Sequence, residues 1–198
     1  VVADVSTAAG VEHLHAAAVE QLGHIDLYCA NAGIATEGGP EAADDLWQCT
    51  WEVNTLAHVR AVRLLLPQWL ERGEGRLLTT VSAAGLLMSL GSAPYSVTKH
   101  AALSFAEWLR ATYAHRGIVV QALCPQGVVT PMLHNAGEAA RRMLAADAVA
   151  PEAVAEQVVR VPRGVELAIE RCRVRRDAGG GGDLLQVDLR TEPVPAQR

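Results

Sequence analysis

The sequence predicts a doubly wound α/β fold built on a parallel sheet. Three observations carry this. Short apolar runs alternate with stretches of helical periodicity, those stretches are long enough to serve as crossovers between parallel strands, and the chemically interesting polar residues fall just after the apolar runs. The carboxyl ends of the strands are where open parallel sheets form ligand sites.

Taken in order, residues 1–3 read as the end of a strand. A helix is predicted over 8–22, with Ser6 or Thr7 as cap, Val11, Leu14, Ala18 and Leu22 at helical spacing, and Gly23 as the stop. Residues 25–30 form an apolar run read as a buried strand. A Gly-bearing loop over 31–40 leads into a long helix over 42–70, whose last turn Pro67 should bend or shorten. A second run over 76–82 and a small-residue loop over 83–93 follow. Pro94 then opens a helix reaching about 115. Gly117 ends it, and 118–124 read as another buried strand.

A chain of 198 residues can bury one full core, and half of its residues are apolar. The balance of 17 basic against 22 acidic residues, with no basic stripe over 1–160, argues against nucleic acid as a partner. No apolar run is long enough to span a bilayer and no signal pattern opens the chain, so no membrane partner and a cytoplasmic location are expected. Cys29, Cys49, Cys124 and Cys172 are too scattered for a disulfide framework, and Cys29 and Cys124 read as small core residues. No His, Asp and Glu group has ligand spacing, so no metal site is predicted. Residues 1–160 form the predicted catalytic portion. Residues 161–198, rich in Arg and Gly, are expected to be a poorly ordered tail, with a short strand near 184–189.

The chain has sixteen arginines and one lysine, Lys99. A lysine kept alone among arginines is a candidate for chemistry that a guanidinium cannot perform. Tyr95 precedes it by four residues, so on a helix the phenol and the ammonium share one face. A phenol titrates near pH 10, and a neighbouring cation should lower that value and make Tyr95 usable as an acid/base. Ser82, at the predicted end of a strand, can hydrogen-bond a substrate carbonyl. No Gly-x-Ser-x-Gly surrounds it, which disfavours a nucleophilic role. Asn31, Ala32 and Gly33 follow a strand directly, where small residues let a flat ligand approach the backbone. Asn54 sits inside a long helix, a place where Asn is a weak helix former and ordinarily faces solvent.

The ordered set of Asp4, Asn31-Ala32-Gly33, Asn54, Ser82, Tyr95 through Lys99, and Pro125-Gln126-Gly127-Val128-Val129-Thr130 resembles the short-chain dehydrogenase/reductase family. The resemblance covers residues 1 to about 132 and extends more weakly to 160. It implies a Rossmann-like sheet and an oxidoreductase that moves a hydride between NAD or NADP and a moderately apolar secondary alcohol or ketone. Tyr95 would be the acid/base, Ser82 would orient the substrate, and Asn54 would hold a water in a proton relay. Lys99 would also bind the nicotinamide ribose. Asp4 and Val5 would lie by the adenine, with Asn31, Ala32, Gly33 and Tyr95 lining the cleft. Pro125, Gly127, Val128 and Thr130 would cradle the nicotinamide end. The family commonly forms dimers or tetramers through the helices matching 44–70 and 94–115.

Two departures stand out. The family's Pro-Gly is interrupted by Gln126. The Thr-Gly-x-x-x-Gly-x-Gly turn that binds pyrophosphate at a helix N-terminus is not in the sequence. The expectation is therefore a fragment, incomplete at the N-terminus. The competing reading is a non-catalytic relic acting only through helix-mediated association.

Overall fold

Three strands, β1 (Leu27–Ala30), β2 (Gly75–Thr80) and β3 (Ile118–Leu123), form a parallel sheet in the order β1-β2-β3. The computed structural model describes residues 1–160, 171–176 and 185–190. Its contacts divide the chain into two units, Val1–Ala168 and Ile169–Arg198.

In the first unit, α1 (Ala8–Leu22) begins where Thr7 Oγ1 accepts from the Gly10 amide at 3.0 Å and ends at Gly23, as its sequence signals require. The predicted helix over 42–70 is three pieces: α2 (Asp44–Trp51), a π-helical turn (Glu52–Leu56) and α3 (Ala57–Arg72). A π turn accommodates one extra residue and rotates the faces on either side. Here it brings both Asn54 and Thr55 inward. Pro67 does not shorten α3. It is exposed, so the carbonyl it leaves without an amide partner faces solvent, and the last turn is anchored instead by buried Trp69. After β2 comes a short 3-10 turn (Ala83–Gly85), then α4 (Ala93–Tyr113), another 3-10 turn and β3. Three short helices follow: α5 (Pro131–His134), α6 (Glu138–Leu144) and α7 (Pro151–Arg160).

Side-chain alternation places the core. Tyr28 and Ala30 of β1 lie in register with Leu77 and Thr79 of β2, and these with Val120 and Ala122 of β3. This face meets Val62, Leu65 and Trp69 of α3 and Ala102, Ala106 and Leu109 of α4, while Val11 joins from α1. Leu27 and Cys29 point to the opposite face and are exposed. The expectation of a core Cys29 therefore fails on strand parity, whereas Cys124 is buried. Residues 1–3 do not form a strand. A strand needs a ladder partner, and among the described strands none lies beside them. The resulting fold is a Rossmann-like parallel sheet flanked by helices, with fewer strands than a full doubly wound sheet.

In the second unit, β4 (Arg171–Arg176) and β5 (Leu185–Arg190) pair antiparallel. The strand expected near 184–189 is β5. Its partner β4 was not foreseen, because arginine density hid the alternation of Cys172 and Val174 with Arg171, Arg173 and Arg175. The remaining expectations for 161–198 lie outside the described residues.

Trp69 fastens the lower end of the sheet. Its Nε1 donates to the Ile25 carbonyl at 2.7 Å, and its ring packs where a side chain at residue 75 would stand, since a Cβ on Gly75 would lie 2.2 Å from it. Trp69→Phe keeps the aromatic bulk and leaves the Ile25 carbonyl without this donor. The expected loss is about 1–3 kcal/mol in urea unfolding, with the slope unchanged.

Candidate active site

Ser82, Tyr95 and Lys99 meet at the carboxyl end of β2. Ser82 follows β2 and caps the 3-10 turn, its Oγ accepting from the Ala84 amide at 3.1 Å. Tyr95 and Lys99 occupy the first turns of α4. That helix is stitched to the loop after β1: the Ala93 amide donates to the Gly38 carbonyl at 2.8 Å, and the Ser92 hydroxyl donates to the Thr36 carbonyl. The Tyr95 phenol hydrogen-bonds Ser82.

The electrostatics differ from expectation. Lys99 does not draw the Tyr95 phenol below its ordinary value. Burial raises it, and the Ser82 hydrogen bond offsets only part of that rise. The ammonium lies 5.7 Å from the ring centroid and donates to the Thr80 carbonyl at 3.0 Å. Lys99 is itself buried, and desolvation lowers it from 10.5 to about 8. Among the described residues no carboxylate pairs with Lys99, and Thr80 is its hydrogen-bond acceptor. An ammonium has three donors, so two remain available.

Asn54 is not solvent-facing: it is 0 % exposed. Its Oδ1 accepts from the Ile34 amide at 2.9 Å, and its Nδ2 donates to the Ile34 carbonyl at 2.9 Å and to Thr98 Oγ1 at 3.2 Å. Both amide donors are thus spent on holding the loop after β1 against α4. In that loop a Cβ on Gly33 would lie 3.3 Å from both Asn54 Oδ1 and Lys99 Nζ, so the backbone lies close against both groups. Ala32 is exposed, and Asn31 Oδ1 accepts from Thr80 Oγ1 at 2.9 Å, tying the ends of β1 and β2 together.

The other expected residues lie on neighbouring loops. Asp4 is exposed and accepts from the Ser6 amide at 2.9 Å, an arrangement that initiates α1, while Val5 packs partly against the core. The Pro125 carbonyl accepts from the Ala83 amide at 2.8 Å and so joins the loop after β3 to the Ser82 turn. The Gly127 carbonyl accepts from the Val149 amide at 3.0 Å, Val128 forms a bridge with Val149, and Thr130 Oγ1 donates to the Val128 carbonyl at 3.2 Å.

Sequence reasoning missed the layer beneath these groups. Thr55 Oγ1 donates to the Thr98 carbonyl at 3.0 Å. His58, 2 % exposed, has its Nδ1 2.9 Å from Thr79 Oγ1 and its Nε2 buried without a hydrogen-bond partner. The available signal was spacing, since His58 stands four residues after Asn54 on one helix face.

A serine, a tyrosine and a buried lysine thus stand at the strand ends of a Rossmann-like sheet. Comparisons with known proteins identify the family. A profile described as short chain dehydrogenase matches residues 1–141, and the chain belongs to that family. It is 39% identical over 143 residues to 1-deoxy-11-beta-hydroxypentalenate dehydrogenase of Streptomyces exfoliatus, covering 68% of this chain and 50% of the relative. It is 37% identical over 138 residues to a ketoacyl reductase, so far only provisionally named, of Streptomyces coelicolor, covering 68% and 53% respectively. Among solved structures, a variant of actinorhodin polyketide ketoreductase crystallised with NADPH superposes with a TM-score of 0.71 at 32% identity, over 79% of this chain and 67% of that one. The chain spans about half the length of the curated relatives it matches. Among the described residues, no helix is long and apolar enough to cross a membrane.

Burial, with the Lys99 charge second, lowers the His58 imidazole from 6.5 to about 4. The unfolded chain then binds the extra proton between those two values. Stability on this account is complete above pH 6.5 and falls as pH drops toward 4, by about 3 kcal/mol in all. His58→Asn should flatten this limb of the urea midpoint plotted against pH and leave the part above pH 7 parallel to wild type.

Proposed function

We propose that the protein carrying this chain is an NAD(P)-dependent oxidoreductase that interconverts a moderately apolar secondary alcohol and its ketone. The convergence of the Tyr95 phenol, the Ser82 hydroxyl and a buried Lys99 with two unused donors is the observation that carries this reading. The residues fit a nicotinamide nucleotide: the spare Lys99 donors match a ribose diol, and Gly33, lacking a side chain, brings the loop backbone close beside them. When bound, the nucleotide supplies or takes up the hydride. Either NAD or NADP fits the groups present.

Tyr95 donates its phenolic proton to the substrate carbonyl oxygen during reduction and accepts it back, as phenolate, during alcohol oxidation. Burial keeps the phenol protonated at neutral pH, which suits the reductive direction. Ser82 hydrogen-bonds the same oxygen and holds it toward Tyr95. Lys99 grips the ribose and adds positive charge near the phenol. Asn54 serves by positioning, because its amide donors are already committed. Asn31, Ala32 and Gly33 would line the cleft, Pro125, Gly127, Val128 and Thr130 would hold the nicotinamide end, and Asp4 and Val5 would hold the adenine end. Exposed apolar side chains after β2 and β3, namely Met88, Leu90 and Val129 on loops and Met132 on α5, support an apolar substrate. On α4, Val97 and Trp108 are exposed, which supports association into a homodimer or homotetramer through that helix.

Tyr95→Phe removes the proton donor and little else. In the intact protein, turnover should drop on the order of a hundredfold or more, while NADPH affinity by fluorescence titration stays near wild type. Retained turnover would remove Tyr95 from the mechanism. Lys99→Arg keeps the charge but places a planar guanidinium where a compact ammonium fits. It should weaken cofactor binding and turnover together, measured by the same titration and by steady-state rates.

A further inference from the structure

His58 has no role in the steps just described, yet it is buried, polar and only half satisfied. It lies on the face of the π turn and α3 that carries Asn54 and Thr55 and then turns apolar at Ala61, Val62, Leu65 and Trp69. Opposite it, Thr79 stands on the central strand, in register with Ala30 on one side and Ala122 on the other. A row of two alanines and one threonine crosses the sheet face between bulkier residues, and the Thr79 hydroxyl reaches the imidazole from that row at 2.9 Å. The next residue, Thr80, provides the carbonyl that holds Lys99 Nζ at 3.0 Å. On its far side Thr80 is tied through its hydroxyl to Asn31.

We propose that His58 is a positioning residue for Lys99: through its hydrogen bond to Thr79 it fixes the end of β2, and with it the Thr80 carbonyl that holds the ammonium. The use of Lys99 for the cofactor rests on the function proposed above, whereas the positioning of Lys99 does not. The bond chain runs His58–Thr79–Thr80–Lys99 and crosses from α3 to α4 through one strand. Its imidazole works in the neutral form, because a proton on it would place a second positive charge near Lys99 in a desolvated layer. Burial and the Lys99 charge both hold His58 neutral down to about pH 4.

Lysine labelling makes this measurable without turnover. In protein labelled with 13C at lysine Cε, the Lys99 signal is the one that Lys99→Arg removes. In wild type that signal should titrate near pH 8, with a smaller inflection as His58 protonates near pH 4. Thr79→Val, nearly isosteric, removes the hydroxyl, and His58→Leu removes the imidazole. Both should move the Lys99 midpoint downward from about 8, because the ammonium loses its fixed acceptor while it stays buried. His58→Asn, with a polar atom where Nδ1 was, should restore the wild-type midpoint. An unchanged midpoint in Thr79→Val overturns the proposal even if His58→Leu does not fold, and reduces His58 to a core residue. In the intact enzyme, Thr79→Val should raise the cofactor KM several-fold with kcat nearly unchanged. A wrong functional reading would instead surface in Tyr95→Phe, with the lysine titration unaffected.

Discussion

A buried ammonium with no carboxylate partner among the described residues is the constraint around which this site is organised. Desolvating Lys99 costs free energy, and the described structure compensates with a carbonyl at 3.0 Å and the face of a tyrosine ring. The consequence is a cation held below its ordinary titration range and a phenol held above its own. Each neighbouring element is placed to keep that arrangement. Thr98, the residue before Lys99, is bound from two sides by Asn54 and Thr55, so both the backbone and the tip of the lysine are fixed.

The π turn is the local device that makes this possible. A regular helix through 52–56 would present its inward side chains at a single angular register. The extra residue rotates the turn so that Asn54 and Thr55, adjacent in sequence, both face the core. Below them the same helical face becomes apolar, and Trp69 locks it to the other end of the sheet. One helical unit therefore serves chemistry at the strand ends and stability at the strand starts. Concentrating polar groups at one end departs from the rule of an apolar interior, as functional sites often do.

How far the site was legible follows from how local each signal is. Tyr95 and Lys99 lie four residues apart on one helix, so their proximity follows from helical geometry alone. Ser82 and the loops over 31–33 and 125–130 follow apolar runs, and the rule that strand carboxyl ends carry sites was enough to group them. His58 and Thr79 are 21 residues apart and separated by a helix and a turn. No spacing rule joins them.

The sequence by itself determined the alternation of helices and parallel strands, the caps of α1 and the identity of the tyrosine, serine and lysine, because each rests on periodicity or on turn chemistry within a few residues. Only the tertiary structure decided that Asn54 is buried and fully bonded, that Pro67 rides within an unbroken helix, that Cys29 faces outward, and that burial outweighs charge at Tyr95. Those outcomes depend on which surfaces meet across the sheet and how much water they exclude. Desolvation and strand parity are properties of the assembled layers, and no window of neighbouring residues contains them.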